Sequence, residues 1–250
     1  MKPAGLTILF LIVTVSASIA GSMASIEFLG FSIDGRYAAM QQHWIEDGSG
    51  FPGAKITIMS VADNRMIRNF EVHWTEEMMY ADGVEVHFDN SINPAVETVL
   101  VTAESFMDSL EFTARNRGIH CICHPLTDTG SEPDSVQFVT WIGSLMYRGP
   151  EFSLTLQNHK QMPESPPEWL SMFDTPVLLE IQIMDENGFE VMRSSDNSPH
   201  PEHMFVSDYR IRDVYVFNDS LIAIILNTTE PGFEGPDGMF RMVTGVLSGY

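Results

Sequence analysis

His120-Cys121-Ile122-Cys123-His124 is the densest group of side chains with ligand chemistry in this sequence. Two thiolates and two imidazoles are donors that zinc or copper accept. In a strand, however, Cys121 and Cys123 would face one side while His120 and His124 faced the other. Alternation therefore works against one four-ligand centre, and a Cys-x-Cys disulfide is strained because bridging needs Cα atoms about 5.5–6 Å apart. Two readings stand side by side: a soft-metal site drawing on these four residues, or a buried thiol pair with two surface imidazoles.

Hard oxygen donors gather elsewhere. Asp47, Glu234 and Asp237, with Glu46 and Glu230, lie in glycine-rich turns at opposite ends of the chain. Calcium takes such ligands from loops. There is no Asp-x-Asp-x-Asp-Gly ladder, and Asp and Gly in such loops mostly serve turn geometry, so no cofactor is expected; calcium is the ion these loops would suit if they hold one. His200-Pro201-Glu202-His203-Met204 points toward copper, but the 16 methionines are scattered and fit core packing better. Gly48-Ser49-Gly50-Phe51-Pro52-Gly53 matches a dinucleotide fingerprint in letters only. A β-alternating run follows it instead of a helix, and Pro52 removes an N–H. No Gly-x-Ser-x-Gly, Ser-x-x-Lys or His-Glu-x-x-His motif is present, and the carboxylates are too numerous for a pair to stand out.

Composition narrows the partners. The 250 residues include 34 acids against 13 Lys and Arg, a formal charge of −21 that repels nucleic-acid backbones and anionic lipid surfaces. With 44% hydrophobic residues and 16 Phe the chain can bury a sizeable core. Lys2 followed by the apolar run Leu6 to Val15 and the small-residue steps Ser18-Ile19-Ala20 and Ser22-Met23-Ala24 read as an export signal over residues 1–24, cleaved after Ala20 or Ala24. That run is short for a spanning helix, so no stable membrane insertion is expected after cleavage. Residues 25–250 then form one β-rich domain, periplasmic or secreted.

The elements that must position these groups are mainly strands. Ile26 to His73 reads as a four-stranded meander turned at Asp34-Gly35, at the loop 46–53 and at Asp63-Asn64. Strands return over Ser135 to Ile142, Phe152 to Gln157, Val177 to Asp185, Phe189 to Arg193, and three times between Arg210 and Val246. One amphipathic helix is expected over about 94–117. Asn93 caps it, Pro94 takes the first position, Val96, Val99, Leu100, Ala103, Met107 and Leu110 form its apolar stripe, and Gly118 stops it. Residues 213–224 lay over 28–39 with Asp219 on Asp34, an internal repeat that would let two end meanders pair and close a sheet.

Phe31-Ser32-Ile33-Asp34-Gly35-Arg36-Tyr37-Ala38-Ala39 resembles the strand-turn-strand of TolB-like and WD-type propeller blades. Together with Asp47-Gly48-Ser49-Gly50-Phe51-Pro52, Tyr209-Arg210-Ile211-Arg212-Asp213-Val214 and Pro231-Gly232-Phe233-Glu234-Gly235-Pro236-Asp237, it is similar to an uncharacterised family of bacterial predicted secreted proteins, a domain of unknown function. The resemblance covers about 26–68 and 209–243. It implies export and a bacterial source, and it brings no activity with it. The family pattern places a basic, cysteine-containing segment before the Tyr-Arg-Ile stretch, whereas Ser194 to Ser207 holds no Cys, Lys or Arg.

The expectation is a mainly β fold of antiparallel meanders, propeller-like or a closed sheet, with one principal helix. Its function is read as an exported, non-enzymatic module binding a protein or small ligand through its Gly/Pro/acidic loops. The alternatives are a metal-binding exported protein and an exported hydrolase with an unfamiliar site.

Overall fold

The structure is a computed structural model that describes residues 21–80, 93–113, 115–125, 130–142, 147–162, 168, 175–195, 205–232 and 235–248. Residues 1–20 of the expected export signal, Glu234 and the His200–Met204 motif lie outside that set.

Twelve strands and two helices are described. β1 (Ser25–Phe31), β2 (Tyr37–Ile45), β3 (Pro52–Ser60) and β4 (Arg65–His73) are followed by α1 (Glu76–Tyr80) and α2 (Pro94–Ser109). Then come β5 (Ile119–Cys123), β6 (Ser135–Ile142), β7 (Tyr147–Lys160), β8 (Val177–Asp185), β9 (Glu190–Ser195), β10 (Asp208–Phe217), β11 (Leu221–Pro231) and β12 (Pro236–Val246). All the strand pairs are antiparallel, and they form three separate four-stranded sheets ordered β1-β2-β3-β4, β12-β11-β10-β5 and β6-β7-β8-β9. The chain is mainly β, as expected. Neither a hydrogen-bonded closed sheet nor a propeller ring appears among the described pairings.

The end meanders do meet, through side chains. Phe28 stacks on Tyr215 at 4.2 Å and Phe31 on Phe217 at 5.2 Å, so β1 lies along β10. The two turns touch as well: a Cβ on Gly35 would stand 2.3 Å from Leu221 Cδ1 and push that side chain aside. The φ of +71° at Gly35 is a second reason for glycine there.

The core is layered around the middle sheet. On one face Val214, Val216, Ile222, Ile224, Leu226 and Val243 pack against the β6–β9 sheet. On the other, Ala223, Ile225, Phe240 and Met242 pack against Phe28, Phe31, Met40 and Trp44 of the first sheet. A strand buried on both faces reads as a continuous apolar run, and Ile222 to Leu226 are all fully buried. Each such large aliphatic contributes roughly 1.5–3 kcal/mol of burial. The far face of the first sheet (Ala39, Ala54, Ile56, Ile58) is covered by Ala95, Val99 and Ala103 of α2.

That helix begins as predicted: Asn93 Oδ1 accepts from Ala95 N at 3.0 Å, and Pro94 occupies the first position. It ends at Ser109 instead of near 117. Glu111 adopts a left-handed φ of +57°, its N–H reaches Asp108 O, and Phe112 N–H reaches Met107 O. These are the two bonds of a Schellman stop, and Phe112 and Met107 share one apolar cluster behind it. The stop is anchored from outside as well, since Phe112 bridges to Ser32, and Gly118 serves the entry to β5.

Candidate functional site

Two arrangements of side chains have chemical potential. The smaller lies where β1, β5 and β10 meet, a cavity of about 360 Å³ lined by Glu27, Arg117, His120, Cys123, Arg212, Asp213 and Tyr215 among others. The pairing of β5 with β10 slips between Val214 and Tyr215: Val214 opposes Ile122, but Tyr215 opposes His120. Cys121 is therefore the extra residue of a bulge, and the bulge resets the alternation. His120 and Cys123, which strict alternation puts on opposite faces, come together. Cys121 instead packs on the core between the second and third sheets.

His120 Nε2 lies 2.8 Å from Asp213 Oδ1, and Arg212 Nη1 lies 2.8 Å from the same oxygen and 3.3 Å from Cys123 Sγ. One ligand atom from each of His120, Cys123 and Asp213 falls within 4.8 Å of the others. The His120 ring stacks on Tyr215 at 4.3 Å, which fixes its plane. Burial, followed by the Asp213 charge, pushes the Tyr215 hydroxyl up to about 12. Burial alone pushes the Cys121 thiol up to about 11, so Cys121 is the inert sulfur and Cys123 the exposed one. His124 is half-buried. Its N–H bonds Arg212 O at 2.7 Å, while its Nδ1 is buried without a partner among the described residues. Of the four residues expected from the sequence, two meet here and two do not. Asp213 joins them from 90 residues away in sequence. Alternation from Tyr209 and Ile211 would have sent Asp213 to the other face; the register shift between Ile211 and Asp213 turns it toward His120 instead, where it is 4% exposed.

The acidic turns also converge in part. Ser22 N donates to Asp237 Oδ1 at 2.6 Å, and Asp47 N donates to Ser22 Oγ at 2.9 Å, so both acids gather on one residue near the start of the described chain. Burial first, then the charges of Asp47 and Glu230, raise the Asp237 carboxyl above its usual range, against the pull of the Ser22 N–H. Asp47 Oδ2 is buried without a hydrogen bond among the described residues.

The larger feature was not legible as a site. β3 and β4 of the first sheet overhang β12, the edge of the middle sheet, and face β9, the edge of the third. Between them lies a cleft of about 1360 Å³. Its floor is the face of the first sheet opposite α2, where Lys55, Thr57 and Asn69 are partly exposed, while Met40, Met59 and the fully buried Gln42 stand at its inner edge. Phe240 and Met242 of β12 and Met192 of β9 form the opposing wall, and Glu230 to Gly232 of the late loop sit on the rim. Gln42 pins the sheets beside the cleft: its Nε2 donates to Phe240 O at 3.0 Å, and its Oε1 accepts from Phe240 N at 3.1 Å.

No helix among the described residues is long and apolar enough to cross a membrane. A family profile described as "Predicted secreted protein (DUF2259)" matches residues 39–245. No curated protein matches.

Proposed function

The chain belongs to the family of predicted secreted proteins, and from that premise we propose that this exported protein is a non-enzymatic binding module holding a ligand in the cleft between its three sheets. The observation that carries the reading is the uncovered β3–β4 face: about 1360 Å³ of open space with a mixed apolar and polar lining, large for a small-molecule site. Sheets that pack face to face normally fill the space between them with side chains. Here the overhang leaves a floor facing a second wall across solvent. The late Gly/Pro/acidic loop borders this space at Glu230 to Gly232, so the expected role of the loops becomes that of a rim.

Thr57 lies near the middle of the floor, and replacing it with Trp fills the cleft without touching the core behind it. Purified protein should bind a neutral environment-sensitive dye such as Nile red with saturable fluorescence, and Thr57→Trp should remove most of that signal. Equal signal in the parent and in Thr57→Trp would sink the reading.

A second reading is favoured by one observation, the approach of His120, Cys123 and Asp213. Nitrogen, sulfur and carboxylate donors together suit zinc or a metal of similar softness. Loading would displace Arg212 Nη1 from both Asp213 and Cys123. Zinc should raise the melting temperature of the parent and leave Cys123→Ser unmoved. A parent midpoint that is the same with zinc and with chelator would end this reading.

A further inference from the structure

We propose that the cleft takes an anionic amphiphile of the long-chain alkyl carboxylate class, with its head on Lys55 and its tail along a methionine-edged floor. This rests on the cleft reading above and gives it a ligand chemistry.

Charge is the first observation. The chain carries only 13 Lys and Arg, yet Lys55, Arg65, Arg193 and Arg241 all line this one cleft. Arg193 is held by Glu180 and Glu190, and Arg241 by Glu230. Neither Arg65, exposed at the start of β4, nor Lys55 has an ion-pair partner among the described residues, and of the two it is Lys55 that lies on the floor. It is half-buried in the sheet floor, directly opposite Gln42 on β2 and Glu71 on β4. Glu71 is already engaged, by Asn69 Nδ2 at 3.2 Å and by His73 Nε2 at 2.9 Å. The other lining acids are engaged too: Asp63 by Ser60, and Glu230 by Thr228 and Arg241. In a protein of formal charge −21, the Lys55 ammonium faces the cleft with the carboxylate opposite it already bonded elsewhere. It is the group an incoming anion would meet.

The second observation is the lining. Five of the 16 methionines, Met40, Met59, Met66, Met192 and Met242, come from five different strands to the edge of this space, Met66 exposed and the other four as the margin of the core, where a tail would have them swing outward. Thioether side chains are flexible and polarizable, and they adapt to apolar chains of varying shape. Register orders these groups along the cleft. Lys55 lies toward one end of β3, Met59 four residues on, and Met59 pairs across to Met66 on β4. Four residues of strand span about 13 Å, enough for most of a twelve-carbon chain. The head and tail positions are therefore set on one strand, with Met192 and Met242 closing over the tail from the other wall.

Displacement of Nile red from the full chain by dodecanoate, dodecanol and dodecyltrimethylammonium, each below its aggregation limit, tests the proposal. Dodecanoate is expected to bind at least tenfold more tightly than dodecanol, the size of one charge-assisted hydrogen bond. The cationic amphiphile is expected to bind most weakly. Lys55→Met should bring dodecanoate and dodecanol within about twofold of each other by weakening only the carboxylate, Lys55→Arg should keep the preference, and Arg65→Met should leave it in place. Dodecanol binding the parent as tightly as dodecanoate, or Lys55→Met keeping the preference, would overturn the anionic assignment while the cleft stands. Failure of all three amphiphiles to displace a dye that Thr57→Trp does exclude would likewise overturn it. A dye signal indifferent to Thr57→Trp would instead bring down the cleft reading itself.

Discussion

Gln42→Met is expected to destabilise the fold by about 2–4 kcal/mol, because Gln42 acts as one residue of an absent fifth strand. Its side-chain amide satisfies the outward N–H and C=O of Phe240, on the edge strand β12, at 3.1 and 3.0 Å. Gln42 is fully buried and Phe240 is 3% exposed, so water is not at hand to replace the amide. Each buried polar group left without a partner costs about 1–3 kcal/mol, which gives about 2–6 for the pair. Methionine recovers part of this by removing a buried amide and keeping nearly the same volume. At about 2–4 °C per kcal/mol for a chain of this size, the midpoint should fall by roughly 4–16 °C. The assay is thermal and urea denaturation followed by circular dichroism, with Thr244→Val as reference, since that change removes the Thr244 Oγ1 bonds to Ser60 O at 3.0 Å and to Asn64 Oδ1 at 3.5 Å and leaves the Phe240 clamp untouched. Both variants should keep the slope of the urea transition, because the surface exposed on unfolding is unchanged. A Gln42→Met midpoint within 2 °C of the parent would mean that the clamp is not what holds the first sheet to β12.

Three further outcomes are expected. The mature N-terminus should be Gly21, read by intact mass, because Ser22 and Ala24 are built into the fold: Gly238 N donates to Ser22 O and Ala24 N to Gly238 O, at 2.8 and 2.9 Å. A start at Ser25 would remove these bonds, and finding it would refute the assignment. Asp237→Asn should stabilise the protein at pH 7 and lose its advantage on acidification. The raised native carboxyl means the folded state holds its proton more tightly than the unfolded chain, so stability falls as pH rises from about 4 through the native value. Equal midpoints for parent and variant across pH 4–8 would contradict this. Iodoacetamide at pH 8 should modify Cys123 at least tenfold faster than Cys121, whose buried thiol sits at about 11. Peptide mapping that found equal labelling would place the bulge wrongly.

Strand and turn identity was legible because it is local. β6 and β8 have the predicted bounds, Ser135–Ile142 and Val177–Asp185, since two-residue alternation records which face is wet. Ile222 to Leu226 carry their double-sided burial as an unbroken apolar run, and Asn93-Pro94 carries the helix start in residues that act on the next turn. What the sequence left open depends on partners far along the chain. The helix stops at Ser109 on a left-handed Glu111, where no glycine marks the end, and Phe112 is held beside Ser32. His120 joins Cys123 only because pairing with β10 forces one extra residue into β5, a slip that periodicity within β5 does not encode. Asp213 enters that site through the pairing of β10 with β5, and Lys55 faces an open cleft through the stacking of whole sheets. Local patterns fix which side of a strand is apolar; which other element lies against that side, and where it stops short and leaves a space, is decided by packing between segments that share no sequence neighbourhood.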